Sequence, residues 1–204
     1  MGRSDVTAVT ITADTVALDA DGISTVAAVA NNAALVINGA LTSGGSATLS
    51  HGRIVTLLSS ADDSAISFTV VGTDVNGDAQ TETITGADTG TATGAAYFLT
   101  ISSITAVGDP AANVSAGVNA SAADVVFAGR ARLKGIYLTS TATAGTTNFL
   151  NSSPVGTSVF KLSSVALATA TRDVVIPEDG VLFTSGIYIQ YTVSTFLTMT
   201  VFHA

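Results

Sequence analysis

The chain has 204 residues, enough for one large or two small domains with a buried core, and its seven basic and fifteen acidic residues leave a net charge of −8. Cysteine is absent, which excludes disulfide scaffolds, thiolate zinc sites and cysteine nucleophiles. Only 11% of residues are charged, 47% are hydrophobic and the mean hydropathy is +0.53. The apolar residues are nevertheless mostly small, 33 Ala and 23 Val diluted by 31 Thr and 21 Ser, and no run reaches the roughly 18 apolar residues of a spanning helix. The negative charge repels phosphate backbones and anionic lipid, so neither nucleic acid nor membrane is an expected partner.

The opening Met1-Gly2-Arg3-Ser4-Asp5-Val6 has no apolar run of the kind a secretory signal needs and no myristoylation pattern, so no leader is expected. Residues 1–30 read as an extended N-terminal arm, with Thr7, Thr10, Thr12 and Asp14 between isolated valines and too little apolar mass for a core. Its alanine-rich part, 24–32, is the best helix candidate, although short and without an amphipathic stripe. Strands are predicted at 33–41 and 53–59. At 65–86 a hairpin is predicted, because Ile66, Phe68 and Val70 alternate onto one face and Asn76-Gly77 supplies the positive φ angles of a tight turn. Further strands are predicted at 96–106, 124–139, 157–167, 172–176, 181–192 and 196–203, between loops rich in Gly, Ser, Ala and Asp. Strands at such spacing indicate sandwiches or barrels. The fold expected is therefore all-β, two small β-sandwich-like modules at 31–123 and 124–204 behind the arm, joined in the small polar stretch near 119–129.

Residues able to do chemistry are scarce. Two histidines, His51 and His203, stand far apart, and His51 reads as a loop residue before a strand. No Gly-x-Ser-x-Gly elbow occurs, the glutamates are only Glu82 and Glu178, and there is no tryptophan. Asp19-Ala20-Asp21-Gly22 and Asp74-Val75-Asn76-Gly77-Asp78 offer oxygen ligands but lack the EF-hand glycine and distal glutamate, so turns are their plainer role. No enzyme, metal or cofactor is expected. The three Asn-x-Ser triplets, at Asn113, Asn119 and Asn151, match what chance gives where a quarter of residues are Ser or Thr. The one local constellation is Arg130, Arg132 and Lys134. At every second position of a strand these three cations share a face, with Ala131 and Leu133 on the other. They read as a solvated edge that resists aggregation, as an electrostatic contact with an acidic surface of a like or neighbouring subunit, or, last, as a phosphate-binding group. So little charge on two small modules leaves a surface of Thr, Ser, Ala and Gly, suited to packing against copies of itself.

Between His51 and Val118 the text resembles a module of tailed-bacteriophage virion proteins. The resemblance rests on Ile54-Val55-Thr56-Leu57, the run Asp62 to Asp74, Asn76-Gly77, Thr81 to Gly86, Tyr97-Phe98 and Ile101 to Thr105. The stretch from Gly135 to Phe202, with Pro177-Glu178-Asp179-Gly180-Val181-Leu182-Phe183 and Gly186-Ile187-Tyr188-Ile189, is similar to a second β-module of such proteins. The resemblance implies a non-enzymatic structural part of the virion, foremost a capsid decoration or cement protein. Such a protein forms a homo-oligomer, preferably a trimer, on the major capsid protein or other virion proteins. A tail or fibre component is the near alternative, and a bacterial adhesin or carbohydrate-binding module, disfavoured by the missing tryptophan, comes from another class. In this reading the arm orders only against a partner, and removing residues 2–20 would leave both modules folded.

Overall fold

The computed structural model describes residues 5–164 and 169–204. In chain order its strands are β1 (Thr7–Thr12), β2 (Asp19–Ala27), β3 (Thr42–Ser43), β4 (Ser46–Asp62), β5 (Ser67–Thr73), β6 (Ala79–Thr85), β7 (Asp88–Val107) and β8 (Val114–Phe127), then β9 (Ala131–Ser140), β10 (Gly145–Asn151), β11 (Thr157–Ser164), β12 (Ala170–Val175), β13 (Val181–Phe183), β14 (Ile187–Thr192) and β15 (Phe196–His203). Among the described residues there is no helix, so none that could cross a membrane. The fold is all-β and of β-sandwich-like class, its strands forming two sheets.

Two compact units emerge, dividing between Ala120 and Ser121 within the expected junction but differing from the expected modules at the N-terminus. One is Ala17–Ala120; the other joins Met1–Val16 to Ser121–Ala204. The expected arm 1–30 is thus divided. Its described part up to Val16 belongs with the C-terminal strands, and the remainder, with β2, belongs to the first unit. The helix candidate 24–32 is instead the end of β2 and a turn at Asn31-Asn32. A few alanines cannot meet the cost of a helical nucleus, whereas as the end of β2 this segment buries Ser24 next to fully buried Ile23 and lets Thr25 N–H reach Asn38 Oδ1 at 3.0 Å. The strand expected at 33–41 shrinks to one bridge, Ala34 with Thr105. Gly39 then crosses so close to Asp21 and Gly22 that a Cβ would lie 2.3 Å from their backbone, which turns the chain away. The strand expected at 124–139 breaks at residues 128–130, and that at 181–192 breaks between Phe183 and Ile187. Residues 165–167 of the strand expected at 157–167, and the first four of the arm, lie outside the described residues.

In the unit Ala17–Ala120 the strands run in the order β8-β4-β7-β5-β6, with β2 on β8 and β3 on β4. The predicted hairpin is present as β5 and β6, antiparallel from Ser67↔Thr85 to Thr73↔Ala79. Period-two alternation explains the core. Phe68, Val70 and Ile84 turn inward to meet Val55, Leu57, Phe98, Ile101, Ile104, Val114 and Val118. The β4–β7 ladder carries a bulge, because Ile54 pairs with Tyr97 and Thr56 with Thr93, which leaves residues 94–96 opposite Val55 alone. Side chains of β6 serve the backbone that the bulge frees. Glu82 Oε1 accepts from Ala95 N–H at 2.5 Å and Ala96 N–H at 3.3 Å, and Gln80 Nε2 donates to Tyr97 O at 2.9 Å.

The other unit has one sheet ordered β1-β15-β9-β12, with β13 also on β9, and strands β11-β10-β14-β8 in the second sheet. Its buried side chains include Ile11, Leu133, Ile136, Leu138, Phe149, Phe183, Ile189, Met199 and Val201. Strand β1 pairs with β15 from Thr7↔His203 to Thr12↔Thr198, so the N-terminal segment is an integral edge strand. It is also anchored beyond its end. Ala13 N–H donates to Leu197 O at 3.0 Å, and buried Asp14 offers its N–H to Tyr191 Oη at 3.2 Å while its carbonyl accepts from Ser194 N–H at 3.0 Å. Tyr191 Oη in turn donates to Asp124 Oδ2 at 3.1 Å. Burial first, and then the Asp124 carboxylate, push the Tyr191 phenol far above its ordinary pKa.

Candidate functional site

The basic constellation lies where β9 begins. Arg132 and Lys134 alternate with buried Ala131 and Leu133, as the period-two reading expects, whereas Arg130 sits exposed in the bend before the strand. The turn between β12 and β13 folds over this stretch. Glu178 and Gly180 adopt positive φ angles of 54° and 78°, and a Cβ on Gly180 would meet Leu133 O at 2.3 Å. Arg132 Nη1 donates to the carbonyls of Asp179 (3.4 Å) and Gly180 (3.3 Å), and Lys134 Nζ donates to Glu178 O at 3.2 Å. Carbonyl oxygens carry no formal charge, so Arg132 and Lys134 keep their positive charge while their side chains are held in place.

The remaining polar residues of the sequence reading have structural partners. His51 lies within β4 rather than in a loop before it. His203 is buried on β15 with its ring 5.0 Å from that of Phe127, and burial lowers its pKa. The Asp74–Asp78 segment is a closed turn. Asp74 Oδ1 accepts from Asn76 N–H at 2.8 Å and Asp78 N–H at 3.0 Å, and Gly77 takes a φ of 86°. Asp62 Oδ1 accepts from both Oγ and N–H of Ser64, which lowers the pKa of its carboxyl, the side-chain bond contributing most. Among the described residues no group of three or more His, Asp or Glu stands close enough to hold a metal ion.

Each unit assembles a sheet face that neither spacing nor motif had singled out. Across β6, β5 and β7 the outward positions align as Thr81–Val71–Ser103, Thr83–Thr69–Thr105 and Thr85–Ser67–Val107. None of these nine is ionisable, and all are exposed or half-buried, Val107 at 51%. At one end of this face stand Asp74 and Asp78, at the other Asp62, Asp88 and Asp109. In the other unit, β1, β15, β9 and β12 align Thr12–Thr198–Thr139–Thr171 in one row, with Thr10–Thr200–Tyr137–Asp173 beside it. Tyr137 is 46% exposed there, and Arg132 and Lys134 lie on the same strand as Tyr137 and Thr139.

Compared with known proteins, the chain matches no family model, no curated protein and no solved structure.

Charge divides along the same lines as the units. The unit Ala17–Ala120 holds nine of the fifteen acidic residues and one basic residue, Arg53, while the other unit holds six of each. Arg53 is 1% exposed and donates through Nη2 to Asn119 O. The whole net charge therefore resides on a unit whose surface displays no cationic side chain. Alternating threonines such as Thr10/Thr12, Thr81/Thr83/Thr85 and Thr198/Thr200 were the available signal. They acquire meaning only once the strand registers line them up.

Proposed function

We propose that this chain is a non-enzymatic structural protein of a tailed-phage virion, a decoration or cement protein that oligomerises on the outside of the head, a trimer being the preferred assembly. The observation that supports it best is the pair of hydroxyl- and methyl-bearing sheet faces. Depletion of charge at the centre with charge at the rim is a feature of protein–protein contacts. The likeness of residues 51–118 and 135–202 to virion modules directs the reading to a phage particle, and its location there is the virion surface. The decisive experiment locates the protein in purified particles by mass spectrometry and electron cryomicroscopy. Density on the head shell is the expected result, density confined to the tail selects a tail component, and absence from particles defeats the proposal.

A further inference from the structure

We infer that the chain associates with copies of itself head to tail, the Thr-ladder face of β1-β15-β9-β12 in one copy docking on the uncharged β6-β5-β7 face of the next. This deepens the self-association in the proposed function by naming the two surfaces, which differ from each other. Three observations carry it. First, each face is uncharged over most of its area, so apposition buries few ionisable groups on a chain of net charge −8. Second, the borders are complementary. The β6-β5-β7 face ends in aspartates at both extremities, on a unit that displays no cation, whereas the other face is bordered by the three cations Arg130, Arg132 and Lys134, which outnumber Glu178 and Asp179 of the turn beside them. Third, Asp62 and Asp88 are directly opposed in the β4–β7 ladder and both exposed. Two exposed carboxylates thus stand together at one end of that face, where a cation of a neighbouring copy can meet them.

The same observations bear on symmetry and strength. Because the two faces are different, the contact is heterologous, and it closes into a ring if the rotation permits, or otherwise continues as an open array. With strands about 4.8 Å apart and outward rows about 7 Å apart, three strands by three rows on one face and four strands by two rows on the other give about 300 Å² on each partner. That is below the roughly 800 Å² per partner of a standard stable interface. A single contact is consequently weak and salt-sensitive, and firm only when repeated in an assembly.

The experiment is sedimentation velocity on the full chain up to about 1 mM, in about 0.05 M and 0.5 M salt, with circular dichroism confirming the fold of each variant. Wild type is expected to associate at low salt and to weaken by at least about tenfold at high salt. Arg130→Glu with Lys134→Glu, and separately Asp88→Lys with Asp109→Lys, should each lose association. An equimolar mixture of the two variants should regain it, because the acidified border of the Thr-ladder face in one variant meets the lysine-bearing β6-β5-β7 face of the other. Monomeric wild type under all these conditions overturns the inference, as does a mixture no better than its components. The proposed function fails separately, through absence of the protein from particles.

Discussion

Replacing Glu82 by Ala takes the acceptor away from two N–H groups of the β7 bulge. The 2.5 Å bond from Ala95 is charge-assisted and worth about 1.5–3 kcal/mol, and the 3.3 Å bond from Ala96 about 0.5–1.5 kcal/mol. Against this, Glu82 Oε2 is buried without a hydrogen-bond partner among the described residues, and removing it relieves about 1–3 kcal/mol of desolvation. The balance is about 1–2 kcal/mol of destabilisation, a fall in Tm of about 2–8 °C for a chain of this size. Gly94 tests the same geometry from the other side. A Cβ there would stand 2.6 Å from Glu82 Oε2 and 3.0 Å from both Glu82 Cδ and Ile84 Cδ1, so Gly94→Ala alone is expected to cost about 1–3 kcal/mol. In the Glu82→Ala background the carboxylate is gone and most of that clash disappears. The double variant is then more stable than the sum of the single effects predicts, by about 1 kcal/mol. Urea denaturation followed by circular dichroism on wild type, both single variants and the double variant measures this coupling. Additivity within about 0.3 kcal/mol, or a Glu82→Ala variant as stable as wild type, would refute the assignment of this carboxylate to the bulge.

Stability should fall as pH drops. Burial lowers the pKa of His203 in the folded chain, so below the unfolded value of about 6.5 the unfolded state binds more protons and is favoured. His203→Asn should flatten that part of the Tm–pH curve, and a curve parallel to wild type between pH about 7.5 and 5.5 would count against the argument. Tyr191→Phe deletes the hydroxyl between Asp14 N–H and Asp124, and chemical denaturation should show a loss of about 1–2 kcal/mol. Faster hydrogen exchange at Asp14 should accompany it. Removing residues 2–16 strips β1 from β15 and takes buried Ile11 and Ala13 with it, so the shortened chain should show lower thermal stability and a tendency to aggregate, and an unchanged melting curve would show that the segment contributes little.

Legibility followed the range of the interactions. The hairpin around Asn76-Gly77 was readable because its turn chemistry and its alternation of Ile66, Phe68 and Val70 are both local. So was the inward turn of Ala131 and Leu133 beside Arg132 and Lys134. The N-terminal segment was not, because Thr7–Thr12 finds its partner in β15 at the far end of the chain, and a sparse strand looks the same whether or not it has one. The alanines after Ser24 misdirect for a related reason: only burial of Ile23 and Ser24 and the reach of Asn38 to Thr25 make that stretch extended. The Thr faces depend on registers between four strands, and the confinement of the net charge to Ala17–Ala120 depends on knowing where the units divide.

That division has a temporal side. The unit Ala17–Ala120 is continuous and has every strand of its core once residue 120 is made, whereas the other unit must join its first strand to its last, Thr10 and Thr200 being 190 residues apart. During synthesis the early unit can fold while the first strand waits for its place. Closing so distant a pair is slow, and until it happens the edge of β15 offers its free backbone groups to any compatible strand, including the same segment of a neighbouring chain. The concentration at which the chain folds therefore decides whether that strand returns to its own molecule or is exchanged between two.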